Sequence, residues 1–144
     1  MNRPCLNASL LDFLDAELTP ESKVLEIGAG YSTFWFRERA GQVNSFDDDQ
    51  EWAEKAGATF VHDYTAPIAS ALLDHYDVAL IDAGERLTLC DLAWPRVKPG
   101  GVLVLDDAQR YDITTSAPDG ECPAGARDVP EAIRVGRTAA WWRK

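Results

Sequence analysis

The sequence predicts an α/β domain: a mostly parallel sheet with helices on both faces, closed by a C-terminal antiparallel hairpin. Three observations carry this. Short apolar runs at residues 24–27, 43–46, 76–81 and 102–105 alternate with segments of helical spacing. Residues 102–105 are uninterrupted, and 24–27 and 76–81 are each broken by a single acid, a pattern that suits strands of a parallel sheet buried on both faces. The first run stops at Gly28-Ala29-Gly30 and passes directly into Phe34, Trp35 and Phe36, the strand–turn–helix order that presents a ligand at a strand's carboxyl end.

The elements follow in order. Residues 6–18 set Leu6, Leu10, Leu11, Leu14 and Leu18 on one stripe of an amphipathic helix, which Thr19-Pro20-Glu21-Ser22 ends. After strand 24–27, Gly28 and Gly30 permit a tight turn and close approach of a ligand. Ser32 or Thr33 is placed to cap a helix over 33–40, with Gly41 behind it. Residues 43–46 form the second strand, closed by Asp47-Asp48-Asp49, and 50–56 the next helix. Residues 58–61 read as a third strand ending in His62-Asp63-Tyr64, and 67–75 as a helix. The fourth strand, 76–81, leads into Asp82, and 87–97 is helical with Pro95 bending or ending it. Lys98-Pro99-Gly100-Gly101 is a turn before strand 102–105, which runs into Asp106-Asp107. Residues 108–128, with Pro118, Gly120, Pro123 and Gly125, show no period and read as one long loop. Residues 132–135 and 138–142 complete a hairpin across Gly136-Arg137. No repeat or linker divides the chain, so residues 1–144 read as a single domain.

Composition narrows the class. With 46% hydrophobic residues and five tryptophans, the chain can bury a core. No apolar run reaches the ~18 residues of a membrane span, and the N-terminal residues lack a signal peptide's apolar segment. Cys5, Cys90 and Cys122 are odd in number and widely spaced, so a reduced, cytoplasmic protein without a zinc site is expected. Acids outnumber bases 24 to 14, a net charge of −10, with no basic cluster. Nucleic-acid binding draws its affinity from phosphate contacts, so DNA and RNA are poor partners here and small molecules better ones.

The glycine turn restricts the ligand. A dinucleotide fingerprint needs glycine at position 33, which is Thr33, and a phosphate loop needs a Gly-Lys-Ser/Thr run that is absent. Glu26 would repel a phosphate and suits a ligand bearing an amino group or positive charge. The five strand ends carry Glu26, Asp47, Asp63, Asp82 and Asp106, a carboxylate from each strand to one rim. Helix capping explains part of this pattern but does not require all five. Asp47 lies 19 residues after Gly28, close to the ~20 at which an acid meets ribose hydroxyls in nucleotide-binding folds.

Glu26-Ile27-Gly28-Ala29-Gly30-Tyr31-Ser32 resembles the first motif of the class I S-adenosylmethionine-dependent methyltransferases, with serine in place of the third glycine. The second-strand end Phe46-Asp47-Asp48-Asp49, the fourth strand Tyr76-Asp77-Val78-Ala79-Leu80-Ile81-Asp82 and the segment from Lys98-Pro99-Gly100-Gly101 to Leu105 are similar to further motifs of that family, in its order. The resemblance spans about residues 6–110. It implies a three-layer αβα Rossmann-like methyltransferase fold and S-adenosylmethionine as cofactor, with S-adenosylhomocysteine as product. It implies cofactor contacts from Glu26, Gly28, Ala29, Gly30, Ser32 and Thr33 at the turn. Asp47 is implied for the ribose, Asp63 for the adenine amino group, and Asp48, Tyr64 and Asp82 as further cofactor contacts.

Asp82 and Asp106 are the candidate bases for a protonated acceptor. Asp82 with Asp106-Asp107 resembles the magnesium site of the catechol-type members. Aspartate replaces asparagine at 107, which favours cofactor contacts and capping over a metal. Arg110 and Tyr111, just past the fifth strand, are candidate contacts for a small-molecule acceptor. Members of the family usually carry a further helix where residues 108–128 stand. The acceptor pocket is therefore open, completed by a second subunit of a homo-oligomer, or built for a large substrate. A non-catalytic cofactor-binding module and, less favoured because of Thr33, a nicotinamide-dependent oxidoreductase are the rival readings.

Overall fold

Apolar runs become strands here because each is covered from both sides. The computed structural model describes residues 4, 6, 8–108, 133–135 and 139–144, the backbone alone at 8, 9 and 133–135. Its elements are α1 (Ala8–Glu17), β1 (Lys23–Ile27), α2 (Tyr31–Arg37), β2 (Gln42–Asp47), α3 (Gln50–Ala56), β3 (Thr59–Phe60), α4 (Thr65–Ala69), β4 (Tyr76–Ile81), α5 (Arg86–Ala93), β5 (Val97–Asp106), β6 (Ile133–Val135) and β7 (Ala139–Arg143). They form one seven-stranded sheet in the order β3-β2-β1-β4-β5-β7-β6. Strands β1 to β5 pair in parallel, and β7 runs antiparallel to both of its neighbours. This is the expected three-layer, mostly parallel architecture with an antiparallel C-terminal pair.

Strand parity divides the core in two. Leu25, Ile27, Ala79, Ile81, Leu103 and Leu105 face the α4–α5 layer, where they meet Ile68, Leu89, Cys90 and Trp94. Val24, Val78, Leu80, Val102 and Val104 face the opposite layer, against Leu10, Leu14 and Phe36 of α1 and α2. Burial of these aliphatic side chains is the main stabilising contribution, roughly 1.5–3 kcal/mol each. The strand order reverses between β1 and β4, and a ligand crevice forms at such a switch point.

Three local expectations are corrected. Helix α2 starts at Tyr31, not at 33, with Gly30 as its N-cap. Ser32 and Thr33 lie inside the helix rather than at its N-cap position. Thr33 Oγ1 instead accepts the Gly30 N–H at 3.1 Å, a reach back from the first turn. Helix α4 covers Thr65–Ala69 rather than 67–75, because Arg96 takes the Ala69 carbonyl at 2.9 Å and the chain beyond is drawn to Pro95 and Arg96. Leu72 and Leu73, inside the expected helix, are left 68% and 65% exposed.

Helix α5 stops short of Val97, as Pro95 led one to expect, and a 3₁₀ turn, Trp94–Arg96, takes up the proline. Lys98-Pro99-Gly100-Gly101 is an irregularity within β5 rather than a turn before it. Tyr76 pairs with Val97 but Val78 with Val102, so the extra residues bulge out. Of the loop over 108–128 only residue 108 is described, and Arg110, Tyr111, Cys5 and Cys122 lie outside the described residues. Among the described residues, no helix is long and apolar enough to cross a membrane.

Candidate active site

The β1–α2 turn is held from beneath. Glu26 pairs in register with Ser45 of β2 on the face that α2 covers, and its side chain is 0% exposed. Its carboxylate accepts Ser45 Oγ at 2.7 Å, Thr33 Oγ1 at 2.5 Å and Ser32 Oγ. Burial raises its pKa, while the three hydroxyls and Arg37 pull the other way. Glu26 thus does not stand on the open rim with the other acids, because strand parity turns it inward. Thr33, also 0% exposed, is turned inward with it. Both were expected at the cofactor, and the geometry makes them supports of the turn instead.

The turn is held from the side as well. Asp47, 8% exposed, accepts the Ala29 N–H through Oδ2 at 2.8 Å and the Asp49 N–H through Oδ1 at 2.8 Å. Each oxygen keeps one lone pair for a further donor. The neighbouring acids have other tasks. Asp49 caps α3 by accepting the Trp52 N–H at 3.0 Å, and Asp48 accepts the Tyr64 hydroxyl at 3.0 Å. Burial pushes the Tyr64 phenol up. Asp63 is exposed and accepts the Thr65 N–H at 2.8 Å, an amide bond that holds its carboxyl below the usual range.

Gly28 and Gly30 differ in what surrounds them. Gly28 has φ +95°, and a Cβ there would sit 3.0 Å from the Asp82 carbonyl oxygen and 3.1 Å from Ala83 Cβ. The β1 and β4 ends are thereby drawn together, with the Asp82 N–H donating to the Ile27 carbonyl at 2.8 Å. A Cβ on Gly30 would meet nothing within 4 Å. Gly30 lines a cleft of about 260 Å³ with Leu6, Ala29, Tyr31, Ser32, Trp52 and Asp82. A second hollow of about 270 Å³ is lined by His62, Asp63, Tyr64, Thr65, Gly84 and neighbouring residues of α5. Gly28→Ala is therefore expected to destabilise the fold by roughly 1–3 kcal/mol, read as a lower melting temperature. Gly30→Ala should leave the melting temperature within about 2 °C and weaken only ligand binding in the cleft.

At the cleft wall the ends of β4 and β5 converge. Ligand oxygens of Asp82, Asp106 and Asp107 lie within 4.8 Å of one another. Burial pushes the Asp82 carboxyl up to about 8, helped by a hydrogen bond to Asp106 and by its charge. Burial likewise raises Asp106, whose Oδ1 is buried without a hydrogen-bond partner. The two carboxyls therefore lose their protons in linked steps rather than independently. Asp107 takes φ +54°, a left-handed conformation that aspartate tolerates better than most residues.

Arg86, the first residue of α5, stands against this trio with its side chain 11% exposed. Its Nη2 donates to the Asp82 carbonyl at 3.1 Å and lies 3.5 Å from Asp82 Oδ1 and 3.4 Å from Asp107 Oδ2. Sequence reading missed Arg86 and Ser45. The spacing of four between Asp82 and Arg86 was a visible signal, whereas Ser45 required the β1–β2 register. The three carboxylates alone are a donor set suited to magnesium, but a guanidinium already supplies their counter-charge. The arrangement does not fit a magnesium centre.

Comparison with known proteins agrees with this architecture. A family model described as a methyltransferase domain matches residues 25–108. A methyltransferase-like protein from Silicibacter pomeroyi superposes with a TM-score of 0.68 at 19% identity, covering 99% of this chain and 88% of that one. A cofactor-bound protein from MTB gives 0.64 at 23% identity, covering 98% and 82%. An rRNA methylase from Streptococcus thermophilus gives 0.63 at 18%, covering 100% and 98%. None of the curated proteins matches in sequence.

Proposed function

The chain belongs to the methyltransferase-domain family, and from that premise we propose that it moves methyl groups from S-adenosylmethionine to an oxygen or nitrogen of a small-molecule acceptor. The observation that carries this reading is the cleft at the β1–β4 switch point, with Gly30 open to it, Asp82 in its wall and Asp47 clamping its turn. When bound, the cofactor supplies a methyl group on a positively charged sulfur. Ala29, Gly30 and Ser32 would receive the amino-acid end, and the spare lone pairs of Asp47 the ribose hydroxyls. Asp63 and Tyr64 flank the adenine side, with Asp48 bonded to the Tyr64 hydroxyl. Transfer is an in-line displacement, so fixed positions and exclusion of water supply much of the acceleration.

A hydroxyl acceptor must lose a proton. The Asp82–Asp106 pair is the group on this wall that takes it, once Asp82 is ionised. The rate constant kcat/KM for a hydroxyl acceptor is expected to rise with pH through about 8. Asp106→Asn should move that inflection down, because it removes the neighbouring negative charge that holds the Asp82 proton. The net charge of −10 disfavours polyphosphate acceptors. Incubation with methyl-labelled cofactor, a metabolite extract and, separately, ribosomal RNA tests the reading. Label in a small molecule upholds it, label in RNA overturns the acceptor class, and binding of S-adenosylhomocysteine without transfer identifies a non-catalytic module.

A further inference from the structure

Arg86 occupies an unusual position for a cation. It begins α5, where the helix dipole disfavours positive charge. Its side chain is 11% exposed, and its Nε is buried with no hydrogen-bond partner. Nothing in its own helix accounts for that placement. What accounts for it is on the facing elements: the Asp82 carbonyl, the Asp82 carboxylate and the Asp107 carboxylate all lie within 3.5 Å of Nη2. Asp106 completes the group from the end of β5, with a buried oxygen that no donor meets.

We propose that Arg86 is the built-in cation of the Asp82–Asp106–Asp107 trio, filling the electrostatic role of a divalent ion, so that the site rejects such an ion until the guanidinium is removed. A magnesium ion bound ~2.1 Å from Asp82 Oδ1 or Asp107 Oδ2 would lie within about 5.6 Å of Nη2, which is 3.5 Å from the first oxygen and 3.4 Å from the second. Like charges at that separation in a largely buried wall repel strongly. The guanidinium cannot lose its proton to relieve this. Binding a divalent ion would require Arg86 to give up its contacts with the Asp82 and Asp107 carboxylates. The inference stands on these four side chains and does not depend on the methyl-transfer reading.

Manganese, a paramagnetic stand-in for magnesium, provides the probe. The full chain is titrated with Mn²⁺ alone and bound ion is followed by electron paramagnetic resonance. Wild type should show no saturable uptake up to about 1 mM. Arg86→Met should take up one ion at least about tenfold more tightly than wild type, Arg86→Lys should behave as wild type, and the R86M/D106N pair should lose the acquired site. A folded R86M, checked by circular dichroism, that takes up no ion overturns the proposal. So does an R86K that binds as well as R86M. If R86M does not fold, the comparison of wild type with D106N decides: saturable uptake by wild type that vanishes in D106N overturns the proposal, and its absence upholds it.

Discussion

Asp47→Ala is expected to weaken S-adenosylhomocysteine binding by about 100-fold, measured by isothermal titration calorimetry. The carboxylate holds two backbone amides, at Ala29 and Asp49, one through each oxygen. Hydrogen bonds to a charged acceptor contribute roughly 1.5–3 kcal/mol, and the Ala29 amide belongs to the turn that lines the cleft. Losing the carboxylate removes both the clamp and the acceptor proposed for the ribose. Asp47→Asn should recover part of the loss, since one oxygen remains to hold one amide. Unchanged affinity in a folded Asp47→Ala variant would remove Asp47 from the binding site.

Glu26→Ala should be the most destabilising single change at the site, costing about 3 kcal/mol. Three hydroxyls, from Ser32, Thr33 and Ser45, lose their common acceptor in a fully buried pocket. Each stranded group costs roughly 1 kcal/mol or more, and the missing side chain leaves a void. For a domain of this size that corresponds to a fall of about 10 °C in Tm, followed by circular dichroism. Glu26→Gln should cost markedly less, because its oxygen still accepts from hydroxyls and its amide donates to one. If Glu26→Ala and Glu26→Gln fall equally, the network beneath the turn is not what holds it.

The sheet was legible because its strands are short apolar runs closed by glycine, proline or acid, a local pattern. The parallel pairing of its first five strands followed from the alternation with helices. The positions of Asp47, Asp82 and Asp106 at strand ends were equally readable. What these side chains do was not, because it depends on pairing between distant segments. Glu26 meets Ser45 only through the β1–β2 register. Arg86 meets Asp107 only because β5 ends beside β4. The length of α4 escaped for the same reason: Leu72 and Leu73 fit a helical period, but Arg96 and Pro95 hold the chain out of it. Lys98-Pro99-Gly100-Gly101 carries turn residues, and local rules do not foresee that β5 continues through them as a bulge.

Strand β7 lies between β5 and β6 although it follows both in the chain. This imposes an order of assembly. During vectorial synthesis β6 emerges first yet has no edge to dock on until Ala139–Arg143 have paired with β5. The burial of Trp142 comes with that late pairing, so the α4–α5 side of the core stays unsealed until then. A nascent chain stalled before residue 139 would expose the β5 edge, whose unpaired backbone groups are a template for association with other chains.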